Sequence, residues 1–357
     1  MALADLWSIE LVVAAFAGGA FGAAIGALPS FALAGVMVIA GEIYDLAASG
    51  FAGGNAAGYA AVDVTGAIGF GPVLSPHIAF GGGAAAVAYA ARKDYLDDDF
   101  DYHPAKNVTR GLGTRPDLLA VGGAFGVVGH WVATLSASLA VPTDPVALGV
   151  VGSALVHRLA FGYHLVGDAR TGLLDMRPFE KGERREERVA ADGGSGARYV
   201  VEPWLPHQYR WPGVALLGVT VGVLGGYVAY VTTSPFLAFG ISVASLLYVN
   251  AGVREIPITH HITLPASTAV LAFAPLSGAA LTPAALAAAV PLWVALALGG
   301  GFGLVGALAG EFLQRILYAH AETHLDPPAA SIVVTTFLIA VLATAGLLHD
   351  AAWVPTP

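Results

Sequence analysis

The chain has no cysteine, which removes disulfides, thiolate metal centres, iron–sulfur clusters and thiol catalysis together. It is poor in charge: Asp, Glu, Lys and Arg make up 11% of 357 residues, and 16 basic residues against 25 acidic ones leave a formal charge of -9. A nucleic-acid binder needs a basic face, so that class is excluded and no nucleic-acid partner is expected. The positive leader of a secretory signal is lacking too. The opening MALADLWSIELVVAAFAGG carries acids where that leader would be basic, and its apolar run continues too far for a cleaved segment, which predicts a first membrane helix. No HExxH and no Ser/His/Asp motif occurs, and paired catalytic carboxylates cannot be argued.

What is abundant is apolar residues, at 56% with a mean hydropathy of +0.71, and glycine, at 46 residues. That composition predicts an all-α polytopic membrane protein, with small residues letting helix backbones approach closely. Apolar stretches fall at 9–28, 31–48, 72–91, 117–137, 144–163, 213–231, 236–253, 263–280, 284–307 and 330–348, about ten transmembrane helices. Several are shorter than the roughly 20 residues a full hydrocarbon core needs, so short or discontinuous helices are expected.

The two halves resemble each other in four blocks in the same order. LPSFALAG (Leu28–Gly35) answers TSPFLAFG (Thr233–Gly240), and HIAFGGGAAAVAYA from His77 answers HITLPASTAVLAFA from His261. GGAFGVVG (Gly122–Gly129) answers GGGFGLVG (Gly299–Gly306), and DPVALGVVGSAL from Asp144 answers DPPAASIVVTTF from Asp326. Conserved order points to an internal duplication. The offsets run 205, 184, 177 and 182, and the drop of 21 after the first block places an insertion at 51–71 in the first half. With Asn55, Asp63 and many glycines, it reads as a surface or re-entrant segment.

The chain divides into a first transmembrane repeat (1–165, with a hydrophilic loop at 92–115), a hydrophilic linker (166–211) and a second repeat (212–357). Five crossings per repeat is odd, so the second copy is expected upside down, two inverted five-helix repeats. Placing the Lys and Arg of the loop and linker inside makes the linker cytoplasmic and both termini extracytoplasmic, in a multi-pass protein of the cell membrane.

Candidate site residues follow from the breaks in apolar tracts. Ser75-Pro76-His77 and Thr259-His260-His261, with Thr263 after it, open matched helices. Two such N-termini facing one another would offer free N–H groups and positive dipole ends to an anion, although each also reads as an ordinary helix start at the surface. Ser30 and Ser234 flank matched prolines and could cap helices or border a cation site. Asp45, near Glu42 and Tyr44 late in the second crossing, is a carboxylate close to hydrocarbon, which often marks an ion path. Asp144-Pro145 and Asp326-Pro327 read as helix caps.

His157 and His164 stand seven residues apart and could share a helix face, but Arg158 beside a metal would be unfavourable and packing is the simpler reading. Whether any metal binds is left open, as it is for Glu311, Arg315, His320, Glu322 and His324, and no cofactor is assigned. The glycine blocks read as helix-packing seams and a possible homo-oligomer contact, not as nucleotide loops. The expected function is secondary transport of a small solute, favoured as an anion, by alternating access and coupled to protons or sodium, with the lipid bilayer as the other partner. The alternatives are an ion channel and a metal- or cofactor-binding membrane enzyme.

Overall fold

The computed structural model describes residues 2–51, 63–96, 100–169, 171–186 and 197–356. In the first half α1 (Ile9–Ile25) starts at Ser8, whose Oγ accepts from the Leu11 amide at 3.4 Å. It stops at Gly26, where φ is 104°, and α2 (Ala27–Phe51) begins at once. A left-handed φ of this kind is open to glycine and strained for other residues. Next come α3 (Ala79–Arg92), α4 (Pro116–Ser138) and α5 (Pro145–Ala160). Proline opens α4 and α5, where its missing N–H leaves no bond unmade, and Asp144 Oδ1 caps α5 by accepting from the Val146 amide at 2.8 Å.

The linker holds α6 (Arg177–Glu180) and an antiparallel ribbon of β1 (Arg184–Glu186) and β2 (Ala197–Tyr199). The second half contains α7 (Trp211–Thr232), α8 (Leu237–Ala244), α9 (Leu246–Asn250), α10 (His260–Phe273), α11 (Pro283–Ala289), α12 (Leu292–Leu317) and α13 (Pro327–Thr344). The described chain is therefore helical apart from one short ribbon, and five helices (α2, α4, α7, α12 and α13) are long and apolar enough to cross a membrane. α1, α5 and the α8–α9 segment are shorter apolar helices. Most of the 51–71 segment lies outside the described residues; its end forms a turn of π-helix, Thr65–Gly69, against α2.

Packing follows the matched glycine blocks. A Cβ on Gly19 of α1 would stand 2.1 Å from the Gly122 carbonyl of α4, and one on Gly222 of α7 would stand 2.3 Å from the Gly299 carbonyl of α12. Neither pair of helices could come this close with side chains between them. α3 lies on the α1–α4 pair as α10 lies on the α7–α12 pair. These two inner helices have 14 residues each, a length of about 21 Å. That is short of the roughly 30 Å of a hydrocarbon core. α10 is buried along its whole length from His260 to Ala272. The halves join where α2 packs on α8 and α5 packs on α13.

The hydrophilic loop and linker fold onto each other. Lys106 Nζ and Arg198 Nη1 reach the two oxygens of buried Glu202 at 2.6 and 2.7 Å, and the Glu202 amide donates to the Ala319 carbonyl beyond α12 at 2.9 Å. Arg158, fully buried on α5, clamps the same region of the other half through the Thr323 hydroxyl and carbonyl and the Leu317 carbonyl, all within 2.9 Å. One sequence expectation is corrected: α5 ends at Ala160, so buried His157 and exposed His164 do not share a helix face.

Candidate functional site

The two matched helix starts are built alike but used differently along their length. Before α3, Ser75 Oγ meets His77 Nδ1 at 2.8 Å, and a Cβ on Gly129 of α4 would fall 1.7 Å from the His77 carbonyl. At α10, a Cβ on Gly306 of α12 would fall 2.4 Å from the His261 carbonyl, and the His261 ring lies against Gly310. His77 and His261 therefore fill matched places between helices. The residues immediately before them, Pro76 and His260, line a cavity of about 190 Å³.

That cavity is lined in matched pairs, one residue from each half. Phe31 and Phe236 are separated by the first block's offset of 205, and Pro76 with His260 and Phe80 with Leu264 by 184. Asp144 with Asp326, Ala147 with Ala329 and Val150 with Ile332 are separated by 182. Phe70, Pro145, Val146, Phe239, Trp353 and Pro355 complete the wall, and the Trp353 indole is held by the Thr268 hydroxyl at 3.0 Å. A second cavity of about 450 Å³ lies on the side of the hydrophilic loops, bordered by Tyr102, Lys106, Trp204 and Tyr318. The two cavities share Phe31, His260 and Asp326.

At this shared wall the His260 ring stands edge-on to Phe31 at 5.1 Å and to Phe239 at 5.8 Å between centroids. His260 is 3% exposed and its Nδ1 has no partner. Asp326 caps α13, its Oδ2 accepting from the Ala329 amide at 2.8 Å, while its Oδ1 meets His324 Nε2 at 3.4 Å. His324 packs edge-on against Phe80 and Tyr318. Asp144 caps α5 and has no cationic side chain beside it among the described residues. On the loop side, burial pulls the Lys106 ammonium down to about 8 against the opposing pull of Glu202, and burial raises the hydroxyls of Tyr102 and Tyr318.

The remaining predicted residues serve elsewhere. Ser30 Oγ donates to the Ala27 carbonyl at 2.7 Å within the first turn of α2. Ser234 caps α8 by accepting from the Leu237 amide at 2.8 Å, and its hydroxyl donates to Glu42 Oε2 at 2.5 Å. Glu42 also accepts from Thr65 at 2.9 Å, so this buried carboxylate ties α2 to the second half, while Asp45 one turn later is exposed. Thr259 pairs with Ser242 at 2.5 Å, and Thr263 donates back to the His260 carbonyl at 3.3 Å. Ser75, Thr259 and Thr263 support the helix starts, and of the predicted site residues only His260 lines the first cavity.

Asp144 and Asp326, favoured by their sequence as helix caps over a site, do both, and Phe31, Phe80, Phe236, Phe239 and Trp353 line the cavity without having been singled out by the sequence. A signal for three of them existed, since Phe31, Phe236 and Phe239 are the aromatic members of the first matched block. Among the described residues no group of three His, Asp or Glu side chains converges so as to hold a metal ion.

Fold and cavity together define a helical protein whose longest helices can cross a membrane and whose halves meet around an aromatic, carboxylate-bearing chamber. The chain belongs to the family described as "Family of unknown function (DUF7973)", whose model matches residues 1–357. No curated protein and no solved structure matches it.

Proposed function

We propose that the protein is a secondary transporter that moves a small solute across the cell membrane by alternating access, coupled to protons or sodium. In this reading the chain makes ten crossings in two inverted five-helix repeats, with the linker cytoplasmic and both termini outside. The observation that carries it is the pairing within the lining of the first cavity: twelve lining residues fall into six pairs at the offsets of the matched blocks, one member from each half. Repeats related in this way bind solute at their interface, and rocking one against the other opens the site to either side in turn. The shared wall of Phe31, His260 and Asp326, with a chamber on each of its faces, supports a site that can be reached by two routes.

The preference for an anion rested on free helix starts at α3 and α10. The helix starts that border the cavity beside His260 include those of α5 and α13, and both carry a capping carboxylate. The proposal therefore keeps the small solute and drops the anion.

Counterflow in proteoliposomes tests the transporter reading. Saturable uptake of a labelled small cation or anion that accelerates when the same solute is loaded on the far side is expected. Unsaturable flux at conductance rates would assign a channel instead, and absence of flux for every solute of such a panel would end the proposal.

A further inference from the structure

From the lining of the first cavity we infer that it binds a small organic monocation, an ammonium compound without a long polar tail. This rests on reading the cavity as the transported solute's site. The charged and ionisable wall residues are Asp144, Asp326 and His260, and no Lys or Arg is among the described residues that line it. Each carboxylate caps a helix, and a helix start contributes about half a positive charge. The α3 and α10 starts reach the same cavity through Phe80 and His260, so the helix ends balance the carboxylates in sum, and the charge that a monovalent cation complements is the local one on Asp144. Asp326 leans on His324, whereas Asp144 accepts only from backbone amides and faces the chamber without a side-chain partner.

The rest of the wall selects the kind of cation. A bare metal ion needs about six oxygen ligands, and this chamber offers ring faces and methyl groups around its carboxylates. Phe31, Phe80, Phe236, Phe239 and Trp353 instead suit an alkylammonium, whose diffuse charge is attracted by aromatic faces and whose methyl groups cost little to dehydrate. A closed apolar cavity of about 150 Å³ holds a benzene molecule, so about 190 Å³ admits a tetraalkylammonium of similar size and excludes anything much larger. His260, almost wholly buried with Nδ1 unpartnered, belongs to the wall that this cavity shares with the second chamber.

The test uses three probes of nearly equal shape on the purified full chain: tetramethylammonium, neutral tert-butanol and anionic pivalate, titrated by calorimetry. Tetramethylammonium is expected to bind saturably and at least about tenfold more tightly than the other two. Asp144→Asn and Asp326→Asn keep a side chain that caps a helix as well as Asp does while removing one charge, so each is expected to fold and to bind tetramethylammonium about tenfold more weakly. Phe239→Leu, with wild-type unfolding temperature, is expected to lose a few-fold. Binding of pivalate in preference, absence of tetramethylammonium binding, or affinity unchanged in both Asn variants overturns the cation assignment. Pivalate exchange in the counterflow assay would do so while leaving the transporter reading intact. Tetramethylammonium binding with no exchange of any solute of the counterflow panel would uphold the site and end the transporter reading.

Discussion

The halves of this protein agree where helices touch and differ where the cavity is lined. Gly19 against Gly122 and Gly222 against Gly299 are the same contact made twice, as are the His77 and His261 carbonyls against Gly129 and Gly306. Around the chamber half of the pairs keep their residue and half do not: Pro76 answers His260, Phe80 answers Leu264 and Val150 answers Ile332, while Asp144 stands alone where Asp326 has His324. Backbone-to-backbone contact leaves no room for variation, because any added atom must push two helices apart. A cavity wall has no such restriction. Both halves give three large aromatic residues to the wall, and the second half adds the one imidazole, His260, where the first has Pro76.

The comparison can be broken most severely at the shared seam. Gly129→Ala would set a methyl group 1.7 Å from the His77 carbonyl and is expected to cost about 3 kcal/mol or more, or to prevent folding. Gly306→Ala, with 2.4 Å to the His261 carbonyl, should cost less, and thermal unfolding in detergent ranks the two. Equal losses would mean that the seams are not equally rigid counterparts.

The divergent wall is sharpened by His260→Phe. The ring contacts with Phe31 and Phe239 survive while the unpartnered Nδ1 disappears, so stability should hold or rise by about 1 kcal/mol. Solute exchange in proteoliposomes should fall about tenfold or more, a loss of function without loss of fold. Unaltered exchange would reduce His260 to a packing residue like His261.

A smaller effect belongs to the loop side, which has no counterpart in the second half. Lys106 titrates near 8 in the folded chain against 10.5 when free. Below pH 8 both states hold the proton and the penalty of the buried ammonium is complete. Between about 8 and 10.5 the unfolded chain binds more protons, so this residue's contribution to stability rises with pH. Unfolding measured from pH 7 to 10 should show that rise in the wild type and lose it in Lys106→Met. Smallest of all, Gly301→Ala meets nothing within 4 Å and should change stability by no more than about 1 kcal/mol, in the stabilising direction.

Much of the architecture is legible in the residues. Ser8, Asp144 and Asp326 start helices as their positions before Ile9, Pro145 and Pro327 predict, because a capping oxygen acts on amides two or three residues away and needs no distant partner. The glycine blocks announce close packing for the same local reason. The site was only half legible. His77 and His261 drew attention as ionisable rings at broken helices, yet the cavity is reached from the residue before each. One position along a helix turns a side chain by about 100°, enough to exchange a chamber wall for an interhelical seam. Asp45 and Glu42, three residues apart, show the same ambiguity on α2, where Glu42 turns inward to Ser234 and Asp45 outward.

By itself the sequence determined the apolar character of the helices, the caps of α1, α5 and α13, and the glycine seams, since each depends on composition or on spacing within a few turns. Only the tertiary structure decided which residues meet at the cavity. Phe31 reaches Phe239 and His260, and Thr143 reaches Thr336 at 3.0 Å, across stretches of chain comparable to a whole half. Such contacts depend on how α2 settles on α8 and α5 on α13, and the rotation of each helix about its own axis is set by all its neighbours at once.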